Sequence, residues 1–171
     1  MSKARLIQRL QWYYPTEKLH AYGTFPLMLL YAIVTNPISE IVLLIYGMIL
    51  CIIVLYQGQH YWKLKLWRLR GQKINQTQEL QFFRKSKKVN VVLILLMPVI
   101  FLFQWYVNQA NPEPTSMFYW GILANVVAML EHINYYHIQL MIDNKYDLQY
   151  VTRNKRLKRS SLAKDLEEQQ I

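Results

Sequence analysis

What the chain lacks narrows its class at once. It has one cysteine, Cys51, inside an apolar run, which excludes a disulfide framework and any CxxC metal or redox motif. Five glycines among 171 residues leave no glycine-rich phosphate loop, and no GxSxG, Walker or HExxH motif is present. Charged residues make up 18%, below the roughly 25% of soluble globular chains. Two stretches, residues 35–39 and 108–116, contain no Lys or Arg at all.

What is present is apolar, aromatic and basic. Hydrophobic residues account for 53%, there are 13 Tyr and 5 Trp, and the net charge is +10. Residues 38–56 carry one charge, Glu40; residues 89–107 carry none; residues 118–138 carry one acid, Glu131; residues 19–35 carry none apart from His20 if protonated. A helix of 19 residues rises about 28 Å, close to the hydrocarbon thickness of a bilayer. The expected fold is therefore an all-α membrane bundle of four transmembrane helices in two helical hairpins. Its expected parts are a cytoplasmic interfacial helix over 1–18, spans over 19–35, 38–57, 89–107 and 116–142, a basic loop over 58–88 and a basic tail over 143–171.

The basic residues orient these spans. All 20 Lys and Arg lie in residues 1–18, 63–88 and 145–164. The positive-inside rule reads that asymmetry as both termini cytoplasmic. No secretory signal is apparent, because the first apolar run contains Pro26 and lacks a small-x-small cleavage site. Arg5, Arg9, Lys63, Lys65, Arg84, Lys85, Lys87, Lys88, Arg156, Lys158 and Arg159 are the expected contacts to anionic lipid headgroups. No nucleic-acid module is recognisable, so the basic clusters are read as facing the membrane rather than a nucleic acid.

Each pair of spans follows one plan: a proline-containing helix (Pro26; Pro98), an Asn-Pro turn (Asn36-Pro37; Asn111-Pro112) and a returning helix ending in aromatics and bases. A shift of 74 residues places Gly47 on Gly121, Cys51 on Asn125 and Tyr61 on Tyr135. This raises an internal duplication in parallel orientation.

The fourth span has a small and polar face. Gly121, Ala128, Glu131, His132, Tyr135 and Gln139 lie on one side with Asn125 at its edge, opposite Leu123, Val126 and Leu130. On the second span Gly47, Cys51 and Gly58 fall within about 40° of each other. These two faces are expected to pack together, small residues allowing close approach and polar ones requiring partners. Glu131 is the one acid deep in a span, placed near the second helix at Gly58 and Tyr61, and an intramembrane carboxylate is a functional candidate. His60 and His132 form the geometric pair for a bis-His haem. No metal-binding or catalytic constellation is found.

The stretch from Leu130 to Leu140, with Asp143 and the basic run at 153–161, resembles small bacterial multi-pass membrane proteins labelled general stress proteins. The Tyr61-Trp62-Lys63-Leu64-Lys65 end of the second span is similar too. The resemblance implies a bacterial cytoplasmic membrane and brings no reaction or cofactor with it. The reading is thus a non-enzymatic membrane protein acting through protein or lipid contacts, in an accessory, assembly or stress-related role, with a protein partner or a second copy of itself. A haem-binding or proton-handling protein using the Glu131, His132 and His60 layer is the alternative, and a small transporter is the third reading.

Overall fold

A computed structural model describes residues 3–109, 116–142 and 144–171, with residues 3–5 as backbone only. The Asn111-Pro112 turn, the Arg5 side chain and Asp143 lie outside the described residues. Among the described residues all regular elements are helical: α1 (Lys3–Leu19), α2 (Phe25–Thr35), α3 (Ile38–Leu69), α4 (Gln76–Asn108), α5 (Ser116–Tyr136), α6 (Lys145–Asn154) and α7 (Ser161–Glu168). Three of them, α3, α4 and α5, are long and apolar enough to cross a membrane.

The first apolar run is not a single regular helix. A π-helical turn, His20–Thr24, joins α1 to α2 without a break in the helical path. Its cause is Pro26, whose ring in α-helical register would press on the carbonyl four residues earlier and whose nitrogen cannot donate. The wider turn moves the bonding to Phe25 N–H and His20 C=O. Pro15 does not end α1 either; the helix continues through it to Leu19, with Thr16 Oγ1 donating to the Trp12 carbonyl at 2.8 Å.

α3 is the central element and touches α1, α2, α4 and α5, its contact with α5 being the most extensive. Half of its most apolar window is buried, against 11% for α4 and 33% for α5. α4 turns its remaining apolar surface outward, with Val92, Leu95, Val99 and Leu102 more than half exposed. On a membrane helix that surface meets lipid at no cost. α3 runs on past the apolar stretch to Leu69, Arg70 capping it and Gly71 following at φ +77°, a left-handed backbone suited to glycine. α4 begins at Gln76, well before its apolar run, with Asn75 accepting from Gln78 N–H as its N-cap. The basic loop of the sequence reading is therefore two helix ends and a short connection.

α3 and α5 run parallel, Gly47 lying on Asn125 and Gly58 on Tyr135. A Cβ at Gly47 would stand 2.6 Å from Asn125 Nδ2 and 2.7 Å from its backbone nitrogen, so no larger residue fits. Gly121 is similarly close to Leu43 and Leu44. Asn125 Nδ2 donates to the Leu43 and Gly121 carbonyls, each at 2.8 Å, and Cys51 Sγ reaches the Ala124 carbonyl at 3.4 Å. Ala128 is fully buried in the same seam. This packing is not symmetric about a 74-residue shift. The counterpart of a Gly47–Asn125 contact would be Cys51 on Gly121, but Gly121 lies against Leu43 and Leu44.

α4 packs antiparallel to α3 through polar side chains. Gln104 accepts from Leu43 N–H at 3.2 Å and donates to the Ser39 carbonyl at 2.8 Å, bracketing two groups one helical turn apart. Tyr46 O–H donates to the Leu93 carbonyl at 2.6 Å, next to Ile94, whose carbonyl loses its helical donor to Pro98. Farther along, Gln57 and Asn90 exchange amide hydrogen bonds at 2.8 and 3.0 Å. Tyr136 O–H donates to Gln57 Oε1 at 2.7 Å.

α5 stops at Tyr136, short of the expected 142. Asn134 Oδ1 takes the Leu140 N–H at 2.9 Å, and the chain leaves the helix to form an isolated bridge between Ile138 and Arg159. The tail thereby returns to the bundle. Ser160 caps α7 and also donates to the Tyr135 carbonyl at 2.5 Å. Leu162 and Ala163 are buried. The tail, read from the sequence as solvated or lipid-facing, is a docked element.

Candidate functional site at the basic end

The three basic segments converge at one end of the bundle. α1 meets the ends of α3 and α5, where Tyr135 O–H donates to Glu17 Oε2 and Trp62 Nε1–H donates to Glu17 Oε1 at 3.2 Å. α7 is tied to α3 through Asp165, which accepts from Tyr61 O–H at 2.7 Å and pairs with Lys65 at 2.6 Å. Arg84 of α4 reaches the Leu166 carbonyl at 3.4 Å. Asp147, at the start of α6, pairs with Lys158 at 2.5 Å and with Arg9 at 3.6 Å.

The expected headgroup contacts fall into three groups. Arg9, Lys65, Lys158 and Arg159 face carboxylates, Arg159 pairing with Glu167. Lys63 lies over the Trp67 ring at 4.4 Å and Lys87 donates to the Tyr136 carbonyl at 3.4 Å. Lys85, Lys88 and Arg156 are exposed.

Between α1, the end of α3 and the returning tail lies a cavity of about 110 Å³, lined among others by Glu17, Tyr13, Trp62, Tyr61, Tyr135 and Asn134. Tyr13 stacks on Trp62 with ring centroids 5.9 Å apart, and Tyr61 lies 4.8 Å from Trp62. Gly58 makes room for this layer: any Cβ there would collide with the Tyr135 ring and come within 2.7 Å of Glu17 Oε2.

Glu17, the acid of this layer, is missing from the sequence-derived site. The signal was present, since Leu6, Leu10, Tyr13 and Glu17 follow one face of a helix. Glu131 is half-buried and accepts from Asn134 Nδ2 at 3.5 Å, while Tyr135 takes the place against Gly58. Gln139 lies beyond the helix, donating to Asp147 Oδ2 at 2.9 Å, so it is not part of an intramembrane stripe.

The two histidines of the haem reading have separate surroundings. His60 Nε2 meets Glu79 at 2.8 Å, and its ring lies against Phe82 and Phe83. His132 meets Asn90 through Nδ1 at 3.3 Å and stacks on Tyr136 at 5.0 Å. Its Nε2 has no hydrogen-bond partner among the described residues. The residues do not fit a haem between them: the ligating nitrogen of His60 is held by a carboxylate, and the rings beside it fill the space a porphyrin would need. Among the described residues no cluster of three or more His, Cys, Asp or Glu side chains could hold a metal ion.

Burial pushes the Glu17 carboxyl up to about 7, with the neighbouring Glu131 charge adding to the shift and the bonds from Tyr135 and Trp62 opposing it. In the unfolded chain the same group titrates near 4.5. Between these values the folded protein holds a proton that the unfolded chain has released, so this contribution to stability falls as pH rises from about 4.5 through about 7 and levels off above. Thermal unfolding of detergent-purified protein will show a midpoint that declines across this window, and Glu17→Gln will flatten the decline. An equal decline in the Gln variant would remove Glu17 as its source. In comparisons with known proteins, the chain matches no family model, no curated protein and no solved structure.

Proposed function

We propose that the chain is a non-enzymatic integral membrane protein that crosses the bilayer four times, keeps both termini in the cytoplasm, and holds anionic lipid headgroups or a protein partner at its basic end. The observation that carries this reading is the convergence of the three basic segments on one end of the bundle, through Glu17 with Trp62 and Tyr135, Asp165 with Tyr61 and Lys65, and Asp147 with Arg9 and Lys158. The first crossing is residues 19–35, formed by the π turn and α2, which continue α1 without a break and leave Leu27, Met28, Leu30, Tyr31 and Val34 exposed. The turn at Asn36-Pro37 carries no base and returns the chain into α3.

The acidic residues of the tail take up Arg9, Lys65, Lys158 and Arg159. Arg84, Lys85, Lys88 and Arg156 are then the cations placed for headgroups, each worth about 1 kcal/mol near an anionic surface. A bacterial cytoplasmic membrane and a stress-related role follow from the resemblance to general stress proteins and belong to the same proposal.

Two measurements test it. Reporter fusions at residues 36 and 112 will report the outer side and a fusion at residue 171 the inner side; an external residue 171 contradicts the topology. Protein purified in mild detergent will retain anionic phospholipid, and neutralising Lys85, Lys88 and Arg156 together to Gln will reduce the retained amount severalfold without changing the unfolding midpoint. Unchanged retention would rule out these cations as the lipid contact.

A further inference from the structure

The cavity beside Glu17 has a chemistry that the basic surface does not explain. Its 110 Å³ is room for a small ligand or a headgroup fragment rather than for an acyl chain. Tyr13, Trp62, Tyr61 and Tyr135 line it beside the aliphatic Leu6, Leu10, Met141 and Leu162, and Tyr13 and Tyr61 each contact Trp62. Its one acid, Glu17, receives hydrogen bonds from Tyr135 and Trp62, both neutral donors, and forms no ion pair with a cation of the chain among the described residues. The one cationic residue of the lining, Arg9, faces Asp147 and lies over the Tyr13 ring at 5.0 Å. A carboxyl without a counter-charge, bordered by aromatic rings, is an arrangement that attracts an organic cation, because the π quadrupoles and the carboxylate act in the same direction.

We propose that this cavity binds a small organic ammonium group, with the Glu17 carboxylate as its counter-charge and the Tyr13 and Trp62 rings as its walls. The cavity lies in the layer where α1 meets the ends of α3 and α5, at the level of the headgroup-facing bases. Two sources offer this ammonium: the ethanolamine headgroup of a phospholipid and a free primary amine. The hydroxyl of Ser161, which shares the cavity, suits an oxygen atom next to such an amine. This site is independent of the anionic-lipid reading, since it takes the opposite charge and uses none of Arg84, Lys85, Lys88 or Arg156.

The test uses the full-length protein in detergent at pH 8, on the alkaline side of the raised Glu17 value, and constant ionic strength. Ethanolammonium chloride and a short-chain phosphatidylethanolamine are titrated separately, with sodium chloride and a short-chain phosphatidylglycerol as controls. The readouts are the thermal unfolding midpoint and tryptophan fluorescence. A saturable rise in the midpoint with either amine above its control is expected. Response to the lipid alone identifies the headgroup as the ligand, and response to both includes free amines. Glu17→Gln removes the charge but keeps a hydrogen-bonding group, and is expected to weaken the apparent affinity about tenfold or more. Tyr13→Leu removes one aromatic wall and is expected to weaken it severalfold. Absence of any response beyond the controls overturns the proposal, and so does an unchanged affinity in Glu17→Gln. If Glu17→Gln does not fold, an unchanged affinity in Tyr13→Leu overturns it instead.

Discussion

The contact between α3 and α5 sets the geometry of everything else. Helices in a bilayer gain nothing from hiding apolar surface from lipid, so they associate where backbones can approach closely and polar groups find partners. Gly47 and Gly121 provide the approach, and Asn125 supplies the polar link by reaching the Leu43 carbonyl from a helix away. At the far end of the same seam Gly58 admits the Tyr135 ring, which carries its hydroxyl to Glu17. One line of small residues on α3 thus fixes the bundle at one end and the cavity at the other.

The basic end is more ordered than a row of lipid-facing lysines. Its acids are few, yet Glu17, Asp147 and Asp165 each join elements distant in sequence. Asp165 lies 104 residues beyond Tyr61 and still bonds its hydroxyl. Leu162 and Ile171 enter the same apolar cluster as Tyr61, Leu64 and Phe83, so the docked tail adds burial to its ion pairs. That burial involves water-facing elements, where the hydrophobic effect operates in full. The two ends of the molecule are therefore held by different forces: close packing and buried amides within the spans, apolar burial and ion pairs at the basic end.

The membrane class and the helical character of the chain were legible because they depend on run length and composition. The seam was legible in part, since Gly47, Cys51, Gly121 and Asn125 show their faces on a helical wheel. The third span also carried a readable signal: Asn90, Gln104 and Asn108 fall within about 40° of each other, and all three are buried. Other features were hidden for physical reasons. The π turn depends on how a proline ring meets the carbonyl before it. The early end of α5 depends on Asn134 bonding Leu140 rather than on any breaker residue. The docking of α7 depends on pairings between residues a hundred positions apart, which periodicity cannot reveal. Glu17 became part of the site only when α1 was laid against α3 and α5.

The most direct test of the account is the proximity of α3 and α5 in the membrane. Cys51 is the one cysteine of the chain, and its Sγ lies 3.4 Å from the Ala124 carbonyl. Gly47 lies against the Ala124 Cβ, and one turn farther along the parallel seam the same register sets Cys51 against Ala128, so Ala128→Cys places a second thiol beside the native one without altering any glycine of the seam. Mild oxidation of native membranes is predicted to form an intramolecular disulfide, read as linked peptides by mass spectrometry after cleavage between the two helices. Absence of the link under conditions that oxidise exposed control thiols, or a link formed only between chains, would contradict the arrangement described.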